Sequence, residues 1–259
     1  MLIEMNMRIG IIIQARTGST RLPNKMILPF YNNKGILENI LIRLKEASLN
    51  IPIILATTVN PIDDHIEEIG LKYGVEIFKG SEGNVLNRFI KAAEKNNISK
   101  IIRVCADNPF LDMVALRKQV DAFKYSNKDY WCYSKSDLTP TIKTHFGFWT
   151  EGVKLAALKK VAKLTNEELF QEHVTNYIYN NPETFELHFE TINKSIENET
   201  HIRLTIDTAD DFEMGKQVYS DLFNNKIPFE VKHIVNFVNS NSAWIAIMKK
   251  EIITNTKTK

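Results

Sequence analysis

The stretch Ile9-Gly10-Ile11-Ile12-Ile13-Gln14-Ala15-Arg16-Thr17-Gly18-Ser19-Thr20-Arg21-Leu22-Pro23-Asn24-Lys25 runs from an apolar, β-branched segment into a loop of small residues with two arginines and a lysine. The apolar segment reads as a buried strand. The loop has the composition of an anion cradle: small residues let backbone N–H groups approach phosphate oxygens, and the cations balance their charge. It is not a Walker loop, because the Gly-x-x-x-x-Gly-Lys-Ser/Thr spacing is missing. Taken alone, an ordinary basic loop remains the alternative. Two aspartates far downstream weigh against it.

Apolar β-branched runs alternate with amphipathic helical stretches on either side of this loop. Residues 8–13, 52–57, 75–78 and 100–104 read as strands. Residues 36–47, 63–73, 84–96 and 113–125 read as helices, with Asp112 as an N-cap and Pro61 in a first turn. The alternation predicts an α/β fold, a mostly parallel sheet covered by helices on both faces. Ligands of such sheets sit beyond the carboxyl ends of the strands, where the first loop and the segment after Val104 both emerge.

From Asp129 the rhythm changes. Residues 130–133, 145–149 and 185–192 read as extended, and residues 151–164 and 172–180 as helices, so that block (about 129–195) is expected as a lid or dimerisation insertion. Residues 202–206 read as a last core strand, and 210–223 and 230–239 as helices. A single domain over residues 1–242 follows, with 243–259 as a C-terminal tail that frays at its polar end.

Composition narrows the function. The chain has 259 residues, 44% hydrophobic and 25% charged, enough for a full core in a soluble globular protein. A net charge of +2, without a Lys/Arg block, argues against a nucleic-acid partner. No apolar run approaches the ~20 residues that span a bilayer, and no signal-peptide pattern opens the chain, so no membrane partner is expected. Met1, Met5 and Met7 are all candidate starts. Cys105 and Cys132 lie in or beside apolar segments and read as reduced thiols of a cytoplasmic protein. The six histidines show no metal-ligand spacing.

Two further strand ends carry carboxylates. In Ile101-Ile102-Arg103-Val104-Cys105-Ala106-Asp107-Asn108-Pro109 a buried run delivers Asp107 ahead of a proline turn. In Ile202-Arg203-Leu204-Thr205-Ile206-Asp207-Thr208 another run delivers Asp207 just before a helix. Either aspartate alone could open a turn or cap a helix. Together, facing a phosphate loop, they suit Mg²⁺ on a triphosphate, because Mg²⁺ takes one or two carboxylates and fills its octahedron with water and phosphate oxygens.

The string Ala15-Arg16-x-x-Ser19-x-Arg21-Leu22-Pro23-x-Lys25 resembles the loop of the cytidylyltransferases that activate sugar acids, such as the Kdo and acylneuraminate synthetases. Over roughly residues 8–240 the chain resembles the SpsF-type, spore-coat polysaccharide branch of that superfamily. Matching stretches include Ala56-Thr57-Thr58 with Asn60-Pro61-x-Asp63-Asp64, and Phe78-x-Gly80-Ser81-Glu82 with Val85-Leu86-x-Arg88. Asp107-x-Pro109, Glu172-His173-Val174-Thr175 and Leu204-Thr205-x-Asp207-Thr208-x-x-Asp211-Phe212 complete the match.

The resemblance implies a GT-A/Rossmann-like sheet and Mg²⁺-dependent transfer of CMP from CTP to a sugar acid or related acceptor, with release of pyrophosphate, in surface-glycan synthesis. It implies Arg21, Lys25, Asp107 and Asp207 as catalytic residues, the two aspartates holding the metal. Arg16 and the backbone of Thr17, Gly18, Ser19 and Thr20 are implied at the phosphates, and Ala15, Ser81 and Arg88 near the nucleoside. A homodimer is a further implication, since relatives often pair through the segment after the core sheet. The loop favours CTP over other donors, because sugar-1-phosphate nucleotidyltransferases usually carry Gly-x-Gly-x-Arg there.

Departures are Ala106 where Gly is usual, Asn84 and Asn87 where acids are common, and His145-Phe146-Gly147-Phe148-Trp149 in place of an Asp-Gly-rich stretch. Asp63-Asp64 reads as a helix start in which acidic side chains favour the macrodipole. A GT-A glycosyltransferase using a nucleotide sugar and an inactive nucleotide-binding subunit are the alternatives. The first explains a metal aspartate but not the Arg/Ser/Arg/Lys loop, and intact Lys25, Asp107 and Asp207 argue against the second.

Overall fold

The computed structural model of the chain describes residues 8–255, so the three candidate starts and residues 256–259 lie outside the described residues. The first half alternates strand and helix as expected. It contains β1 (Ile9–Gln14), α1 (Ile36–Glu46), β2 (Ile53–Thr58), α2 (Asp64–Lys72), β3 (Glu76–Gly80), α3 (Val85–Lys95), β4 (Lys100–Cys105) and α4 (Met113–Tyr125). The second half holds β5 (Tyr130–Ser134), β6 (Glu151–Lys154), α5 (Leu155–Leu164), α6 (Glu168–Glu172), α7 (Asn176–Asn180), β7 (Leu187–Thr191) and α8 (Lys194–Glu197). It ends with α9 (Ala209–Asn224), α10 (Val231–Asn239) and α11 (Ser242–Thr254).

All seven strands form one sheet in the order β3-β2-β1-β4-β6-β5-β7. Only β6 runs against its neighbours; every other pair is parallel. Strand β1 is central because both of its faces are apolar. Ile9, Ile11 and Ile13 enter one core with Leu37, Ile40 and Leu41 of α1 and Phe212, Val218 and Leu222 of α9. Ile12 enters the other with Phe89 and Ala93 of α3 and Leu158 and Val161 of α5. Each fully buried Ile or Leu contributes roughly 1.5–3 kcal/mol, so this strand is fixed from both sides.

The chain moves outward from β1 through β2 to β3, then returns to place β4 on the other side of β1. That reversal opens a crevice at the carboxyl ends of β1 and β4. Gln14 pairs with Cys105 across it, so the first loop and the Asp107 turn leave the sheet side by side.

The second half departs from several expectations. The 129–195 block supplies β5, β6 and β7 to the sheet itself, and its α5 packs on one face of that sheet. Residues 145–149 form no strand: Gly147 has φ +74°, and a Cβ there would lie 2.9 Å from the Leu204 carbonyl carbon. Residues 151–154 are β6, and the helix expected from 151 starts at Leu155. The helix expected over 172–180 is split into α6 and α7. Residues 202–206 are buried but outside the ladder, the Leu204 and Thr205 N–H groups bonding to the His145 carbonyl and that of Ile206 to the Asp107 carbonyl. Most of the expected tail is α11, whose Trp244, Met248 and Glu251 are buried.

Candidate active site

The first loop is folded around Thr17. Its carbonyl accepts the N–H groups of Ser19 (2.8 Å) and Asn24 (3.0 Å), and Asn24 adopts φ +60°, which turns the chain back so that Lys25 faces the crevice. The Thr17 N–H and hydroxyl both donate to Asp63 Oδ1, at 2.7 and 2.6 Å, while the Thr58 hydroxyl donates to Asp63 Oδ2. Asp63 is 2% exposed. Three donors on one buried carboxylate make it the pin of the loop, in place of the dipole role its sequence position suggested. The Thr17 and Ser19 amides are thereby engaged within the chain, whereas Gly18 and Thr20 donate no such bond among the described residues.

Arg21, Lys25, Asp107 and Asp207 converge. Lys25, only 6% exposed, donates from Nζ to the Ile206 carbonyl at 2.5 Å. The same Nζ stands 3.5 Å from Asp107 Oδ2 and 3.6 Å from Asp207 Oδ1. Arg21 reaches Asp207 Oδ1 at 2.9 Å from a half-exposed position. The Ile206 N–H donates to the Asp107 carbonyl at 2.9 Å, which fixes the two aspartates to each other through the backbone.

Asp207 is held from behind by Arg203, which is fully buried. Arg203 grips Asp211 through Nε and Nη2, both at 2.7 Å, touches Asp207 Oδ2 at 3.3 Å, and donates from Nη1 to His145 Nδ1 at 2.8 Å. Burial works against the Arg203 charge, but the Asp211 hydrogen bonds and the charges of Asp211 and Asp207 outweigh it and hold the guanidinium above its ordinary range. Asp211 and Thr208 form a capping box that starts α9. The Thr208 hydroxyl also donates to the buried Glu251 of α11 at 2.7 Å.

The remaining expected residues lie on the β3 side. Ala15 is buried and continues the β1 ladder to the Ala56 carbonyl. Arg16 pairs with Glu172 of α6 at 3.4 Å. Arg88 donates from Nη1 to the Ser81 carbonyl at 2.5 Å, while its buried Nε and Nη2 have no partner. Burial pulls the Arg88 guanidinium down to about 10, the nearby charge of Arg16 adding to the effect and Asp63 and Glu82 opposing it. The Ser81 hydroxyl accepts from Asn84 N–H at 3.1 Å, and Asn84 caps α3 with its own side chain. The bonds of Ser81 and Arg88 stay within residues 81–88 and do not reach Lys25.

Sequence reasoning missed three polar residues besides Asp63. Arg203 alternates with Ile202 and Leu204 in a stretch, 202–207, that is buried throughout; a cation among such apolar residues was the available signal. Glu151 accepts from Arg103 Nη1 at 2.5 Å, from the Tyr130 hydroxyl and from Thr175 at 3.0 Å. Thr175 is thereby tied to the sheet, close in sequence to Glu172 and Arg16's ion pair.

The donor set fits a divalent cation. Asp107 and Asp207 both turn a carboxylate oxygen toward the Lys25 ammonium, at 3.5 and 3.6 Å, so the two carboxylates are close enough to share a cation. Among the described residues no three or more His, Cys, Asp or Glu side chains gather as a metal cluster, so water and substrate phosphate oxygens would complete the shell. That is how Mg²⁺ is bound with nucleotides. Two carboxylates, three cations and a turn with amides to offer can hold a triphosphate and stabilise charge at one phosphorus.

A family model for cytidylyltransferases matches residues 10–236. The chain belongs to the cytidylyltransferase family. An uncharacterized protein of Methanocaldococcus jannaschii is 37% identical to this cytidylyltransferase over 91% of the chain and 92% of its own length. The spore coat polysaccharide biosynthesis protein SpsF of Bacillus subtilis is 34% identical over 80% of the chain and 85% of its own. The solved structure of a cytidylyltransferase from Leptospira borgpetersenii superposes with a TM-score of 0.78 at 30% identity, covering 92% of this chain and 97% of the other. The resemblance read from Ala15 to Lys25 is thus confirmed, and this cytidylyltransferase is a CTP-using nucleotidyltransferase with an α/β, mostly parallel sheet. No described helix is long and apolar enough to cross a membrane.

Proposed function

We propose that the chain transfers CMP from CTP to a sugar acid or related anionic acceptor, with release of pyrophosphate, in the synthesis of a surface-glycan precursor. The observation that carries the proposal is Lys25 Nζ standing between Asp107 and Asp207 at the carboxyl edge of the sheet. The triphosphate lies along the first loop, against the amides of Gly18 and Thr20 and the side chains of Arg16 and Arg21. Lys25 offsets the charge that develops at the α-phosphorus as the acceptor oxygen bonds to it and the bond to pyrophosphate breaks. Asp107 and Asp207 would hold Mg²⁺, which would supply phosphate orientation and a lowered pKa for an acceptor hydroxyl. Ala15, Ser81 and Arg88 face the nucleoside, and the unpartnered N–H groups of Arg88 support a polar ligand there.

The polysaccharide role in the name of SpsF supports a glycan precursor as product. Cys105 and Cys132 are not joined in a disulfide, which suits the reducing cytoplasm. A homodimer through the β5–β7 side of the sheet belongs to the same reading.

The test begins with thermal shifts for the four nucleoside triphosphates, with Mg²⁺ and with EDTA. CTP with Mg²⁺ is expected to stabilise most, and pyrophosphate release is then screened across acceptors. Loss of turnover in both Asp107→Ala and Asp207→Ala supports the metal assignment; unchanged turnover in both removes it. Turnover of a nucleotide sugar without pyrophosphate release would replace the reading with glycosyl transfer.

A further inference from the structure

Asp207 has two carboxylate oxygens that face different surroundings. Oδ1 meets Arg21 at 2.9 Å and Lys25 at 3.6 Å, on the side of Asp107. Oδ2 meets Arg203 at 3.3 Å and the Thr205 hydroxyl at 3.5 Å, both in the protein interior. The carboxylate is therefore held from two sides, by the crevice cations at Oδ1 and by interior groups at Oδ2.

Arg203 is engaged at three of its nitrogens. Its fork is closed on Asp211, both of whose oxygens it engages, and its third nitrogen is bound to His145 Nδ1. Asp211 Oδ2 in turn accepts the backbone N–H groups of Asp207 and Thr208, each at 3.0 Å. Side chain and backbone of Asp207 are thus clamped from one buried ion pair. Asp211 cannot itself serve as a site ligand, because its acceptors are taken by four donors and it is fully buried. Glu251, also buried, is turned to Thr208 and Asn255.

We infer that Arg203 is a positioning residue for Asp207, acting with Asp211 to present one carboxylate oxygen to the cation held between Asp107 and Asp207. Partners that orient a metal-bound carboxylate change metal affinity about 10–100-fold when removed. The inference rests on the metal assignment of the proposed function, and its test separates the two.

The measurement is the Mn²⁺ concentration at which CTP reaches half of its thermal stabilisation, alongside CTP affinity in EDTA and the melting temperature without ligand. Asp211→Asn and Arg203→Met are expected to raise the Mn²⁺ midpoint about tenfold while CTP affinity in EDTA stays within about twofold. Arg203→Lys keeps the buried charge without the fork, so it is expected to recover part of the shift and serves where Arg203→Met does not fold. Asp207→Asn is the control. If Asp207→Asn leaves the midpoint unchanged, the metal assignment falls and the inference with it. If Asp207→Asn shifts the midpoint but folded Asp211→Asn and Arg203→Lys do not, Arg203 and Asp211 merely stabilise the fold and the inference alone is overturned.

Discussion

Lys25 is the cation on which the two site aspartates meet, and its burial makes its removal informative. Lys25→Met leaves Asp107 without its ammonium partner and takes a positive charge from the position proposed for the α-phosphate. Loss of one preorganised charge donor lowers turnover about 10²–10³-fold, which steady-state pyrophosphate release would read. Unchanged turnover would place the α-phosphate elsewhere. Asp63 belongs to a different class of effect, because it holds the loop without facing the crevice. Asp63→Ala strands the Thr17 amide and the Thr58 hydroxyl proton, while the Thr17 hydroxyl keeps the Ile62 carbonyl at 3.3 Å, a loss of about 1–3 kcal/mol per group left unsatisfied in the interior. A melting temperature several degrees lower and a raised KM for CTP are expected together, since the loop that carries Arg21 and Lys25 loses its pin. A fall in melting temperature with KM unchanged would show that the loop keeps its shape without Asp63.

At the level of elements, the sequence was legible where local pattern and partner agree. Strands β1, β2 and β4 are apolar runs because both faces are covered, and α4 has the expected bounds because Asp112 accepts the Val114 and Ala115 amides. Strand β6 carried no such signal: it is four residues long, opens on the charged Glu151, and contains Gly152, packed beneath the Phe123 ring. Its place is set by antiparallel pairing with β4 and β5, which no local pattern encodes. The helical periodicity of 155–164 gives no sign of where this strand ends. Residues 202–206 deceived in the opposite way, having the apolar–polar alternation of a strand but bonding to an irregular segment. The site residues on the first loop were legible from composition, whereas Asp63 and Arg203 act only through the fold. Helix α11 offers a direct check, since Trp244 is buried and packs at its start. Trp244→Ala is expected to destabilise by about 3–5 kcal/mol in denaturant unfolding, and an effect under 1 kcal/mol would mean that α11 is a dispensable tail. Helix α6 gives a prediction of opposite sign. Glu172→Gln frees Arg16 from an exposed ion pair worth at most about 1 kcal/mol, so CTP binding is expected to tighten by no more than about fivefold. Weaker CTP binding in that variant would show that Glu172 positions Arg16 for the triphosphate.

Across the whole molecule the two apolar cores are joined by the sheet, and buried tyrosines report on both. Tyr219 of α9 and Tyr133 of β5 lie against the first core, and burial pushes both phenols up to about 12. Tyr130, on the opposite face, is raised well above its usual value, by burial first and then by the charges of Cys132 and Glu151. A phenol that holds its proton more tightly when folded stabilises the fold below its unfolded pKa, near 10, and that contribution disappears as pH rises toward the folded value. The loss is on the order of 2–3 kcal/mol for each of Tyr133 and Tyr219 across that window, a large share of a typical domain stability of about 5–15 kcal/mol. Because these groups sit in separate elements of one sheet-centred core, their ionisation is expected to open the molecule as a unit and not to loosen one end of it. Phenolate absorbance and far-ultraviolet circular dichroism, recorded together through an alkaline titration, test this. The buried phenols should ionise only as the dichroism collapses, in a transition lying between about pH 10 and 12. If all eight tyrosines of the chain ionised near pH 10 with the dichroism intact, the packing around Tyr133 and Tyr219 would be open to solvent, and the two-sided core could not be what holds β1 and its loop in place.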